Sequence, residues 1–358
     1  MVTADDLAYL RRALFLAERG RGTTTPNPLV GAVVVSADGI VVGQGAHRVA
    51  GGPHAEVFAL DAAGARARGG TLYCTLEPCS HTGRTGPCAV RVADAGIARV
   101  VAALTDPNPR VAGSGFAYLR DRGIQVETDV ARDAAVEQNA PFLTWMTRQR
   151  PHVTLKSAIS ADGFVGQEGA AVKLTGIPMD RLTHGHRAAA DAVAVGSTTM
   201  LADDPQLTAR LVYRQRPLIR VVFDRRGRVT ARARLLQTLD AGPVIMCVGA
   251  DVAESSNTDT LRSAGATVLP LPAGGGISWA LRTLAEQHVL SLIVEGGPTL
   301  HRAFWDEGLV DRVQLIETPV RLTHGVRAFV PAADRDQSVT RTMRGLDTLL
   351  EWNVHRAD

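Results

Sequence analysis

One imidazole, one carboxylate and two thiols fall at spacings that suit hydrolytic metal chemistry. His54-Ala55-Glu56 opens a helical pattern, and two cysteines follow in the run Pro78-Cys79-Ser80-His81-Thr82-Gly83-Arg84-Thr85-Gly86-Pro87-Cys88. One histidine and two cysteines make a three-ligand tetrahedral zinc set, with the fourth position left for water. Zinc lowers the pKa of such a water, so hydroxide becomes available near neutral pH. Glu56 stands two residues past His54. It is not a ligand, but is placed to carry protons between water, a ring nitrogen and departing ammonia.

H-x-E followed by P-C and a second cysteine is the signature of zinc deaminases, which separate the two cysteines by two residues. Here residues 80–87 separate them. The longer loop carries His81 and Arg84, which are placed to hold a polar or phosphorylated substrate. A structural zinc site with some other ligand is the alternative, and the ordered set of parts favours the catalytic one. Cys74 alternates within a strand-like stretch and reads as core, since free cysteine packs as a small hydrophobe. Cys247 sits in a buried-looking strand and receives no role, and His47 taken alone reads as a surface histidine.

A second constellation lies far downstream. Leu292-Ile293-Val294 runs into Glu295-Gly296-Gly297-Pro298-Thr299-Leu300 and then a helix. Paired glycines let backbone approach a ligand closely, and a helix N-terminus offers unpaired N–H groups to a phosphate. Pro298 suits the first turn. A tight strand–helix turn without a ligand explains the motif equally well. The stretch Ser197-Thr198-Thr199-Met200-Leu201-Ala202-Asp203-Asp204-Pro205 follows another strand. Its hydroxyls and carboxylates could grip a ribose or simply cap a turn. Arg187 and Arg210 flank it with forks suited to phosphate. Gly113-Ser114-Gly115 and Gly43-Gln44-Gly45 both lack the third glycine of the dinucleotide fingerprint, so a Rossmann site is excluded.

The elements that must position these groups alternate. Leu7, Leu10, Leu14 and Ala17 recur at helical spacing behind a Thr3–Asp6 capping box, which predicts a helix over 5–19. Helices are also expected at 54–63, 88–95, 116–122 and ending near 148, with strands at 29–35, 71–76 and 99–104. Pro151 disfavours helix at the residue before it and marks a boundary, giving domains 1–148 and 149–358. The second domain reads as strands at 152–158, 192–195, 218–223, 244–248, 267–271 and 290–294, with helices near 179–190, 278–287 and 299–307. Both are layered α/β domains.

Composition narrows the function classes. Hydrophobic residues at 45% and charged residues at 21% of 358 exclude a disordered or coiled-coil chain. A net charge of +3 from 39 basic and 36 acidic residues gives no argument for nucleic acid. No apolar run approaches the roughly 18 residues of a membrane helix. The acidic start is unlike a secretory leader, so a cytoplasmic protein is expected.

At this point the sequence resembles a known family. Thr25-Pro26-Asn27-Pro28-Leu29-Val30-Gly31, His54-Ala55-Glu56, Thr75-Leu76-Glu77-Pro78-Cys79-Ser80-His81, Gly83-Arg84-Thr85 with Pro87-Cys88, and Asp106-Pro107-Asn108-Pro109 with Val111-Ala112-Gly113 all look like the bifunctional riboflavin-biosynthesis deaminase/reductases, the RibD family. Beyond residue 150, Thr154-Leu155-Lys156-Ser157-Ala158 with Ser160 and Asp162-Gly163, Leu201 to Pro205 with Leu207-Thr208 and Arg210, Arg220-Val221-Val222 with Asp224, and Glu295 to Leu300 resemble its reductase half.

The resemblance implies a cytidine-deaminase-like three-layer α/β/α domain followed by a dihydrofolate-reductase-like α/β domain, with zinc and NADPH as cofactors. It implies His54, Cys79 and Cys88 as zinc ligands and Glu56 as catalytic, with Asn27, His47, His81 and Arg84 near the deaminase substrate. It places Ala158, Thr199, Asp203, Gly297, Pro298, Thr299 and Leu300 by the cofactor, within a run reaching Ala303. Arg187, Leu207, Arg210 and Glu295 fall by the reductase substrate. The implied substrate is a phosphorylated pyrimidine, and a homo-oligomer, dimer or tetramer, is expected.

Departures fall mainly in the second half. Ala171 and Lys173 stand where the family usually has a substrate-contacting serine and a cofactor-side tryptophan. Lys173 is expected to compensate by contacting a cofactor phosphate. Phe164 stands where the family usually has a basic or small polar residue, 317–325 stands where it typically has an Ala-Pro-Lys stretch and paired glycines, and Gly86 stands where it usually has a proline. Two rivals stay open here: a nucleic-acid-editing deaminase, against which the few aromatics and near-neutral charge speak, and a deaminase whose second domain no longer reduces.

Overall fold

The computed structural model describes residues 2–80, 86–108, 112–169, 171–274, 276–333 and 338–354. The chain divides into two compact units, Met1–Gln149 and Arg150–Asp358.

The first unit contains, in order, α1 (Ala4–Ala17), β1 (Gly31–Val35), β2 (Val41–Ala46), α2 (Ala55–Ala63), β3 (Thr71–Cys74), α3 (Cys88–Asp94), β4 (Arg99–Ala102), α4 (Ser114–Asp121), β5 (Gln125–Glu127), α5 (Arg132–Gln138) and α6 (Ala140–Arg148). The Thr3–Asp6 capping box starts α1. The sheet order is β2-β1-β3-β4-β5, antiparallel for the first three strands and parallel beyond β3. β1 is buried along its whole length, as an interior strand with both faces covered must be. Helix α2 lies directly on β2. A Cβ on Gly43 would stand 1.9 Å from the Ala59 carbonyl oxygen, and one on Gly45 2.1 Å from that of Ala55. Only glycine permits that approach, which fixes the start of α2 over the sheet.

The second unit adds β6 (His152–Ile159), β7 (Phe164–Gly166), α7 (Ile177–Ala189), β8 (Ala192–Gly196), α8 (Ser197–Asp203), β9 (Ile219–Phe223), β10 (Val244–Gly249) and α9 (Ser256–Ser263). It continues through β11 (Thr267–Leu271), α10 (Ile277–Glu286), β12 (Ser291–Val294), α11 (Pro298–Asp306), β13 (Arg312–Glu317), β14 (Val326–Arg327), β15 (Thr340–Arg344) and β16 (Asp347–Asn353). Its large sheet runs β11-β10-β9-β8-β12-β6-β13-β16-β15. The strands from β11 to β13 are parallel, and β16 and β15 finish the edge antiparallel. Separate apolar clusters cover the two faces, one around Phe304 and Leu281, the other around Met246 and Leu235. Asp311 ties the start of β6 to the start of β13. It takes both guanidinium nitrogens of Arg150, at 2.6 and 2.8 Å, and the Val153 N–H at 2.8 Å.

Candidate active sites

His54 occupies the N-cap position of α2 without a capping hydrogen bond. Its imidazole faces the thiols instead, with Nδ1 3.5 Å from Cys79 Sγ and 3.3 Å from Cys88 Sγ. Cys88 begins α3, and Cys79 lies in the loop that follows β3. The donor atoms of the three residues all lie within 4.8 Å of one another. Ordinary zinc–sulfur and zinc–nitrogen bonds at a tetrahedral angle put nitrogen and sulfur about 3.6 Å apart. The donor set therefore fits zinc in both chemistry and spacing.

The electrostatics agree. The Cys79 thiol is drawn well below its usual value, first by the Cys88 thiol beside it and, against burial, by His54. The same contact pushes Cys88 up. His54 is held above its usual value, chiefly by Cys79. A thiolate of low pKa against an imidazole is ligand chemistry. Glu56, in the first turn of α2, is only 3% exposed, and burial pushes its carboxyl up.

These groups open onto a cavity of 340 Å³ whose lining includes Asn27, His47, His54, Glu56 and Cys79. His47 is 2% exposed, contrary to its reading in isolation as a surface residue. It is buried because both ring nitrogens are used. Nδ1 lies 3.0 Å from the Pro53 carbonyl and Nε2 3.1 Å from the Asn27 amide. Burial lowers its pKa and favours the neutral ring. His81 and Arg84 lie outside the described residues. Residue-by-residue reasoning missed the apolar wall of Phe142, Trp145 and Met146 from α6. Their spacing resembles any amphipathic helix, so nothing in the pattern marked them. Asp106 and Asn108 also reach the cavity, and only the family motif flagged them.

In the second unit a cavity of 380 Å³ is lined by residues that include Lys156, Ala158, Lys173, Arg187, Thr199, Asp203, Glu295, Gly297 and Pro298. α11 starts at this cavity with Gly297 as its N-cap and Pro298 in the first turn, and no side chain caps it. A Cβ on Gly297 would come within 3.7 Å of Thr199 Oγ1. Exposed first-turn N–H groups beside small residues and hydroxyls fit a phosphate-bearing cofactor.

Beside this cradle lies a partly buried charge cluster. Arg187 Nε and Nη2 grip the two Glu295 oxygens, each at 2.7 Å, and Nη1 donates to the Thr208 carbonyl at 3.0 Å. Arg187 is thus engaged inside the protein rather than presented freely to a phosphate. Lys156 Nζ stands 3.9 Å from Glu295. Burial raises the Glu295 carboxyl, but Arg187 and Lys156 outweigh it and hold it at about 2. Burial lowers the Lys156 ammonium.

Thr299, Leu300, Leu207 and Arg210 do not line this cavity. Leu207 packs into the apolar cluster on one face of the sheet. Ser197 to Asp203, read from sequence as a stretch after a strand that could grip a ribose or cap a turn, form the helix α8, which brings Thr199 and Asp203 to the cavity. Lys173 pairs with Asp180 at 2.9 Å. Phe164 is buried beneath the guanidinium of Arg327, 4.3 Å from its ring centroid.

Comparison with known proteins matches both halves. Residues 3–104 match the cytidine and deoxycytidylate deaminase zinc-binding region, and residues 151–343 match the RibD C-terminal domain. The chain is 39% identical to the riboflavin biosynthesis protein RibD of Aquifex aeolicus, over 91% of this chain and 90% of the relative. It is 40% identical to that of Escherichia coli, over 90% of each. The solved structure of Acinetobacter baumannii RibD superposes with a TM-score of 0.84 at 34% identity, covering 98% of this chain and 99% of that one. A Thermotoga maritima diaminohydroxyphosphoribosylaminopyrimidine deaminase/5-amino-6-(5-phosphoribosylamino)uracil reductase gives 0.86 at 31% identity, covering 97% and 98%.

Fold and site together define a zinc-dependent deaminase joined in one chain to an NADPH-dependent reductase. The chain belongs to the RibD family of riboflavin biosynthesis proteins, which combine these two activities.

Proposed function

We propose that residues 1–148 deaminate 2,5-diamino-6-ribosylamino-4(3H)-pyrimidinone 5′-phosphate. Residues 149–358 then reduce the ribosyl group with NADPH, giving 5-amino-6-(5-phosphoribitylamino)uracil. The observation that carries this reading is the clustering of His54, Cys79 and Cys88, with His54, Cys79 and buried Glu56 facing one cavity of small-molecule size.

Zinc held by His54, Cys79 and Cys88 supplies, when bound, the Lewis acidity that makes water nucleophilic at neutral pH. Glu56 moves the protons: it accepts one from the attacking water and delivers it toward the ring nitrogen and the leaving ammonia. Its burial strengthens its hold on that proton, which suits a shuttle working near neutrality. Asn27 and neutral His47 orient the pyrimidine, and His81 and Arg84 take its polar or phosphorylated end.

In the second half NADPH supplies, when bound, the hydride for C1′. Gly297 and Pro298 at the start of α11, with Ala158, Thr199 and Asp203, seat that cofactor. Lys156 gives up its proton more readily because it is buried, and is available to the ring oxygen released as the ribosyl opens. Arg187 holds Glu295 ionised and in place. The enzyme acts on a free nucleotide-like substrate, not nucleic acid, as a cytoplasmic homo-oligomer.

Purified zinc-loaded protein incubated with the diaminopyrimidine ribosyl phosphate tests this by product mass. The deaminated product alone is expected without NADPH, and the ribityl product with it. Deaminated product under both conditions would refute the reductase assignment, and no product under either would refute the substrate.

A further inference from the structure

Glu77 lies two residues before Cys79 and lines the same cavity, but its carboxylate is spent on backbone N–H groups rather than joining the His54, Cys79 and Cys88 cluster. It is 5% exposed. Oε2 accepts the N–H of Asp106 at 3.1 Å and of Gly113 at 2.9 Å, and Oε1 accepts those of Gly115 at 2.8 Å and Phe116 at 3.3 Å. Among the described residues every donor is backbone, and each lies between 29 and 39 residues away in the chain.

Two consequences follow from that geometry. First, α4 has no side-chain cap of its own, because its N-cap is Gly113 at φ 78°. Glu77 supplies the cap from another element, placing an anion at the positive end of the helix. Second, one oxygen holds the N–H groups of both Asp106 and Gly113. Residues Asp106 and Asn108 line the deaminase cavity. Asp106 Oδ1 in turn takes the Asn108 N–H at 2.8 Å. The other flank is equally constrained, since a Cβ on Gly115 would stand 2.0 Å from the Pro78 carbonyl oxygen. The first turn of α4 is therefore pressed against the residue that precedes Cys79.

We infer that Glu77 is a positioning residue for deamination, fixing Asp106 and Asn108 as a rigid polar wall against which the pyrimidine nucleotide is bound. The inference rests on the deaminase reading above. A carboxylate is required because both oxygens face N–H donors. Glutamine would turn its own N–H groups on two of them. Aspartate keeps the charge but withdraws it by about 1.5 Å, the length of one carbon–carbon bond.

The experiment compares native protein, Glu77→Gln, Glu77→Asp and Asn108→Ala as full-length, zinc-loaded chains. Native turnover of the diaminopyrimidine substrate is measured first, and its absence would sink the deaminase reading itself, independently of Glu77. Glu77→Gln is expected to raise the deaminase KM about ten-fold or more, with kcat within about three-fold. Zinc content and NADPH-dependent reduction in the same chain stay unchanged. The amides of Gly113, Gly115 and Phe116 exchange hydrogen faster. Glu77→Asp falls between. Adding Asn108→Ala to either Glu77 variant adds little, because both remove the same wall. An unchanged KM, zinc loss with a fall in kcat alone, or fully additive effects would each overturn the inference. If Glu77→Gln does not accumulate, the Glu77→Asp and Asn108→Ala cycle decides by the same criterion.

Discussion

The two catalytic sites of this chain grip their ligands in different ways. The deaminase site is made of side chains: an imidazole, two thiols and a buried carboxylate, each needed for its own chemistry. The proposed reductase site adds to its side chains the start of α11, which no side chain caps, beside the Arg187–Glu295–Lys156 cluster. Side-chain chemistry fails when one residue type is changed. A backbone cradle survives many changes around it, provided the turn that forms it is kept.

The sharpest test of the contrast is Glu56→Gln. Deamination is expected to fall about 10³-fold, the scale of general acid–base catalysis, with zinc retained. Reduction of separately supplied deaminated substrate stays at the native rate. A residual deaminase rate within about ten-fold of native would remove the distinction between the sites.

A middle-sized effect concerns pH. Burial pulls His301, whose Nε2 lies 3.1 Å from the Val294 carbonyl, down to about 4. Its folded pKa is below the unfolded value near 6.5, so between those values the unfolded chain binds more protons. Stability of the second unit is therefore full above about 6.5 and declines as pH falls toward about 4, by roughly 3 kcal/mol. Glu295, held at about 2, adds its loss only below the usual carboxylate range. Unfolding midpoints of native and His301→Gln protein across that window should diverge in slope. Parallel curves would contradict the assignment.

The smallest expected effect is at Lys173, which is 67% exposed and paired with Asp180. Such a pair is worth little, so Lys173→Ala should change NADPH affinity by less than about five-fold. A loss beyond ten-fold would instead make Lys173 a cofactor-phosphate ligand and the reductase site more side-chain-dependent than the contrast allows.

The same contrast governs what could be read from the sequence. The zinc ligands were legible because their residue types have few other uses at that spacing. Helices α1, α2 and α3 and buried strands such as β1, β8, β9 and β10 were legible because apolar periodicity reports burial, whereas the largely buried β13 and β16 were not expected from the sequence. α8 was not, because Ser, Thr and Asp after a strand resemble a capped turn. β15 was not, because Thr340–Arg344 lies on an exposed edge without an apolar face. The burial of His47 depends on Asn27 and Pro53, and the engagement of Arg187 on a carboxylate 108 residues away. Local pattern carries no trace of partners at that range.

The position of β6 has a consequence for how the second unit is made. It is the first strand of that unit in the chain, yet its neighbours in the sheet are β12 and β13. Both are supplied only after residue 290. During synthesis the strand emerges early and waits with both edges unmatched until nearly the whole unit has followed. A chain interrupted before Ser291 would expose those edges, and its failure would be aggregation rather than a smaller working enzyme.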